Sequence, residues 1–173
     1  MSDAITLVPI GFVDTELVST LRQALISSFS VEIHPEQAVP YQAFDRKRGQ
    51  YQAEKIFEFL CSVPLDTSQK IVGIIEGDLY APGYHYMFGQ ADVRRNVAVV
   101  SLMRLHPVFD TGKENEKLFF ERVLKEVVHE LGHLYGCGHC QDASCVMFFS
   151  RHIKDTDHKG ISFCSYHEQC VSL

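Results

Sequence analysis

Residues 129–140 read His-Glu-Leu-Gly-His-Leu-Tyr-Gly-Cys-Gly-His-Cys, and Cys145-Val146-Met147 follows after four further residues. His129 and His133 are one helical turn apart, so both imidazoles leave the same helix face and can meet one ion. Glu130 directly follows the first histidine and cannot easily ligate beside it, but it can reach a metal-bound water as a base. The helix must then stop, because a third ligand further along a straight helix would point elsewhere. Gly136 is the predicted stop, since glycine accepts the left-handed conformation that ends helices. The chain turns there and delivers His139. Three neutral histidines leave the fourth position of tetrahedral zinc for water, the arrangement of a catalytic site. A bare H-E-x-x-H recurs by chance; the added Gly136, His139 and Met147 make the pattern specific.

Cysteines follow at once. Cys140 and Cys145 are spaced C-x4-C, and Cys164 opens Cys-Ser-Tyr-His-Glu-Gln-Cys. Thiolates at short spacing with a second cluster further on suit a structural zinc with four protein ligands. Cys140, Cys145 and Cys164 are three of them. The fourth is His167 at C-x2-H or Cys170 at C-x5-C; the tighter spacer favours His167, and Cys170 stays in contention. The competing reading is disulfide pairing or free buried thiols, which the absence of a recognisable secretory signal disfavours.

The run from His129 to Cys164 resembles the archaemetzincins, a branch of the metzincin zinc peptidases with the pattern H-E-x-x-H-x-x-G-x3-C-x4-C-x-M followed by C-x-x-C. His129, Glu130, His133, Gly136, Cys140, Cys145 and Met147 match it, and His139 stands where that family has its third zinc histidine. One departure is His167, where the last cysteine of the pattern would be. The resemblance covers about a quarter of the chain. It implies a zinc peptidase with two zinc ions, one catalytic and one structural, the latter on three cysteines and a histidine. It also implies a metzincin-type fold: a mixed, twisted α/β (α+β) sheet, an active-site helix and a small zinc-stabilised C-terminal subdomain. Residues 1–136 would stand above the cleft and residues 137–173 below it, as one catalytic domain. Met147 would form the apolar floor beneath the histidines, on a link of only seven residues from His139. Some metzincins add a tyrosine ligand two residues after that methionine; here the position is Phe149. The segment Met87-Phe88-Gly89-Gln90-Ala91 resembles the metzincin edge strand to which a peptide adds as a further strand, and it reads equally as an ordinary edge strand.

The remaining sequence sets bounds. At 173 residues the chain is one domain, with enough length to bury a core without disulfides. A formal charge of −6 and a pI near 5.8 argue against a nucleic-acid surface. No apolar run approaches a membrane span. The expectation is a cytoplasmic monomer acting on a peptide or protein. The rival function is a zinc-stabilised peptide-binding protein with little or no proteolysis, which would have no need of Glu130.

Periodicity predicts strands at Ile5–Phe12, Phe29–Ile33, Lys70–Glu76, Tyr84–Val93 and Asn96–Leu105, with Lys70–Glu76 central. Helices are expected after Asp14, from about Gln50 to Leu60, and from about Glu114 through the histidines, where Thr111 to Glu114 resembles a capping box. His34, His85, His106, His152 and His158 read as surface or loop residues. Cys61 reads as a small buried apolar residue, and the archaemetzincin pattern implies no ligand role for Cys137.

Overall fold

The computed structural model describes residues 4–65 and 69–171, so the outermost ends of the 1–173 division lie outside the described residues. A five-stranded sheet forms the centre, in the order β2 (Ser30–Ile33), β1 (Ala4–Ile10), β5 (Lys70–Ile75), β8 (Val97–Ser101), β7 (Gly89–Asp92). All neighbours are parallel except β7, which runs antiparallel to β8 at one edge. The apolar run of β5 occupies the middle of the sheet and is buried along its whole length, as a parallel strand covered on both faces must be.

Helices cover both faces. On one lie α1 (Thr15–Leu25) and α4 (Glu116–Leu134), whose apolar stripes pack with Leu7, Val72 and Val100. On the other, α2 (Ala53–Ser62) buries Ile56, Phe57 and Leu60 against Val8, Ile71 and Val99. Asp14 caps α1, its carboxylate accepting from the Glu16 amide at 2.9 Å. The mixed α/β class expected from the sequence is the one observed.

Several boundaries differ from expectation. Gln50–Gln52 is a strand, β4, that pairs with β3 (Phe44–Asp45) and β6 (Leu79–Tyr80) in a second small sheet; the helix begins only at Ala53. Tyr84–Val93 is strand only over Gly89–Asp92, because Pro82-Gly83, with Gly83 at φ +86°, opens a turn. Ser101 ends β8, and Met103–Leu105 is a 3-10 turn. No capping box forms at Thr111: its hydroxyl bonds back to Pro107 at 2.8 Å within the short α3 (Val108–Thr111), and Gly112 ends that turn. Asn115 caps α4 instead, accepting from Leu118 at 3.0 Å. Cys61 is exposed at the end of α2 rather than buried, the inward face of that helix being taken by Phe57 and Leu60.

After α4 come short elements packed beneath it, α5 (Ile153–His158) and α6 (Ser165–Val171). Arg122 of α4, 1% exposed, makes paired hydrogen bonds to Asp157 (2.7 and 2.8 Å) and Asp110 (2.9 and 3.0 Å), which ties α3, α4 and α5 together. Among the described residues no helix is long and apolar enough to cross a membrane.

Candidate active site

The α4 C-terminus sets the geometry. Gly136 adopts φ +89°; its amide donates to the His133 carbonyl and that of Cys137 to the Gly132 carbonyl, both at 2.9 Å. This paired Schellman closure satisfies the helix's last carbonyls and reverses the chain toward His139. His129, His133 and His139 each bring a ring nitrogen to within 4.8 Å of the others. Two backbone acceptors fix the rings: His129 Nδ1 lies 2.8 Å from the Val146 carbonyl and His133 Nδ1 2.9 Å from that of Cys137. With each Nδ1–H given to a carbonyl, the Nε2 lone pairs face inward, 3.1 Å apart. Two nitrogens on one tetrahedral zinc would stand about 3.3 Å apart, from bond lengths of about 2.05 Å. Burial lowers the pKa of all three rings, most strongly for His129, and so favours the neutral imidazoles a metal needs. The donor set fits zinc.

Glu130 is 3% exposed. Burial, and next the Glu126 carboxylate, push its carboxyl well above the ordinary carboxylate range. Its Oε2 is buried without a hydrogen-bond partner. The residue lines a cleft of about 600 Å³ whose wall runs along β7 and the preceding turn, with Tyr84, Tyr86, Phe88 and Phe149 as apolar surface. Phe149 packs on the His139 ring, centroids 4.8 Å apart. His85 and His152 stand exposed at the rim, while His34, His106 and His158 are engaged elsewhere.

Met147 is fully buried. It fits against α4 because Gly132, read in sequence only as a spacer, has no side chain: a methyl group there would coincide with the Met147 thioether and come 2.9 Å from the Phe163 ring.

Cys140, Cys145, Cys164 and His167 form a second set, again with ligand atoms within 4.8 Å of one another. Cys140 and Cys164 sulfurs are 3.9 Å apart, and His167 Nδ1 lies 3.2 Å from Cys164 and 3.9 Å from Cys145. Tetrahedral zinc would hold two sulfurs about 3.8 Å apart, and a sulfur and a nitrogen about 3.6 Å apart. Cys164 is drawn down to about 6, chiefly by its hydrogen bond with His167, as a thiolate ligand requires. Cys170 is not in this set; burial pushes the nearby Cys137 thiol up to about 12, and its Sγ donates to the His167 carbonyl at 3.8 Å.

Two residues of the site had no sequence signal as a pair. Lys159, fully buried, pairs with Glu126 at 3.0 Å and brings its Nζ to 3.5 Å from His129 Nδ1. The Thr156 hydroxyl donates to the same carboxylate at 3.0 Å. Glu126 lies one turn before Glu130, so helical spacing could have placed it on the same face; nothing in the sequence points to Lys159.

Comparison with known proteins agrees with this chemistry. The model of peptidase family M54 matches residues 14–172. The archaemetzincin of Pyrococcus horikoshii is 44% identical over 132 residues, covering 76% of this chain and 69% of that protein. The archaemetzincin of Pyrococcus furiosus is 38% identical over 172 residues, 95% of this chain and 90% of the relative. The crystal structure of the Methanopyrus kandleri archaemetzincin superposes with a TM-score of 0.85 at 30% identity, covering 99% of this chain and 94% of that one. That of Archaeoglobus fulgidus, complexed with malonate, gives 0.84 at 31% identity over 96% and 99% of the two chains. The chain belongs to peptidase family M54, with the archaemetzincins, and is a zinc metallopeptidase.

Proposed function

We propose that, in this M54 peptidase, His129, His133 and His139 hold the catalytic zinc, Glu130 is the general base, and Cys140, Cys145, Cys164 and His167 hold a second, structural zinc. When bound, the catalytic ion lowers the pKa of a water and polarises the scissile carbonyl. The chain supplies the rest. Glu130 takes the proton of the attacking water at its unpartnered Oε2 and returns it to the departing amine. Its pKa, raised by burial, makes the carboxylate a stronger proton acceptor than an exposed one. An extended peptide adds to the outer edge of β7, with its side chains against Phe149 and the tyrosines.

The chain divides at the cleft. Residues 1–136 supply sheet, helix and upper wall; residues 137–173 supply His139, the Met147 floor and the cysteine set. Each site is completed within one chain, which supports a monomer. Six uncross-linked cysteines support a reducing cytoplasm, and the net charge of −6 gives no footing to nucleic acid.

The carrying observation is the convergence of three imidazoles beside a buried carboxylate with a free oxygen at the cleft. The test is a peptide-library digest by the wild type and by Glu130→Ala. The variant should keep its zinc and lose turnover by about a hundredfold or more. Undiminished cleavage would remove Glu130 from the mechanism.

A further inference from the structure

We infer that Gly89, the first residue of the edge strand β7, is a positioning residue for the Glu130 carboxylate, the absence of its side chain being the space in which that carboxylate is held. The inference rests on the proposed role of Glu130 as the base.

Backbone geometry does not account for this glycine. The described glycines in the left-handed region are Gly11, Gly49, Gly83, Gly112 and Gly136; Gly89 is not among them, so its conformation is open to any residue. Within a strand a glycine weakens pairing and packing, and it commonly marks a close approach. Here Gly89 pairs with Val100 of β8 and presents its bare face to α4. A Cβ built on it would stand 2.6 Å from Glu130 Oε1, 2.9 Å from Cγ and 3.0 Å from Cδ. Carbon contacts are optimal at about 3.5–4.0 Å. All three nearest atoms belong to Glu130 and none to backbone.

That identity decides the consequence. The atoms a methyl group at 89 would meet first belong to a side chain rather than to backbone, so the fold should survive while the carboxylate moves. Ala91, two residues on and on the same face, keeps its methyl group and packs against the core, so this face of the strand accepts a side chain elsewhere. The constraint is local to position 89. Sequence alone places Gly89 about forty residues before Glu130, with no spacing rule to connect them.

The experiment is a double-mutant cycle with Gly89→Ala and Glu130→Ala, read by zinc content, thermal melting and turnover of a peptide-library substrate. Gly89→Ala should keep the wild-type zinc content and a KM within about twofold, and lower kcat by about a hundredfold, the loss expected of a catalytic group misplaced by an ångström. It should lower the melting temperature by about 2–4 °C in the wild-type background. In Glu130→Ala, where the three atoms closest to the added methyl group are gone, most of the drop should vanish. An equal drop in both backgrounds, or an unchanged kcat, would overturn the inference. A loss confined to KM would also overturn it, since that would place the effect on substrate pairing along β7. Wild-type turnover by Glu130→Ala alone would overturn the base assignment and this inference with it. That outcome is recognisable, because the melting coupling would persist.

Discussion

The histidine set and the cysteine set are consecutive in sequence, His139 and Cys140 being neighbours, yet they are built for opposite ends. His139 is exposed, His133 half-buried, and a cleft lies over the three nitrogens. In the cysteine set Cys145 and His167 are buried, four donors close around one point, and the cleft does not reach them. One set leaves a position for a reacting molecule and the other leaves none. Ligand number and access, rather than the identity of the metal, separate a reactive site from a clamp.

The largest expected effect tests that contrast directly. Cys145→Ser should release one zinc and melt the protein far below the wild type, since structural zinc contributes on the order of 10 kcal/mol of folding free energy. His133→Ala should release the other zinc and abolish turnover with a much smaller change in melting. His167→Ala should behave like Cys145→Ser, and Cys170→Ser should keep both metals, because Cys170 lies outside the clustered set of four. If Cys170→Ser loses the second zinc while His167→Ala retains it, the ligand assignment is reversed.

A smaller effect is expected where the two regions meet. Lys159 lies five residues before Cys164, and its Nζ reaches both Glu126 and the back of His129. Lys159→Met leaves the Glu126 carboxylate buried without its cation, at a cost of about 3–5 kcal/mol. Denaturant unfolding should show this loss, and Lys159→Met combined with Glu126→Leu should recover most of it. A loss below about 1 kcal/mol in the single variant would mean the pair does not brace the histidine set.

The smallest effect is a pH dependence outside both sites. The hydrogen bonds from Arg122 hold the Asp110 carboxyl below its ordinary value of 3.8. A depressed folded pKa stabilises above the unfolded value and loses that stability as pH falls through the folded one. Stability from this contact should therefore be complete above about pH 4–5 and decline below that, and Asp110→Asn should flatten that part of the curve. Identical acid limbs for the two proteins would assign the acid loss to other groups.

Much of the site is legible in the sequence because it is local. The turn at Gly136, the shared face of His129 and His133, and the tight C-x2-H step to His167 all follow from spacing along one or two elements. The apolar run of β5 identifies itself as a central strand, since only a strand covered on both faces reads that way. Boundaries fail where tertiary pairing competes with periodicity. Gln50–Gln52 joins a small sheet through Leu79–Tyr80, a partner far away in the chain. The helical stripe of Ile56, Phe57 and Leu60 gives no warning of this.

The sequence by itself determined which candidate donors stand at ligand spacing, the carboxylate beside them, and the helix that presents them. Only the tertiary structure decided what surrounds that chemistry. It set Lys159 against His129, Gly132 against Met147 and Gly89 against Glu130. The physical reason is that ligand spacing is a property of short stretches with fixed periods, whereas close packing depends on which distant segments meet. A glycine that makes room for another residue shows in a sequence only as a glycine.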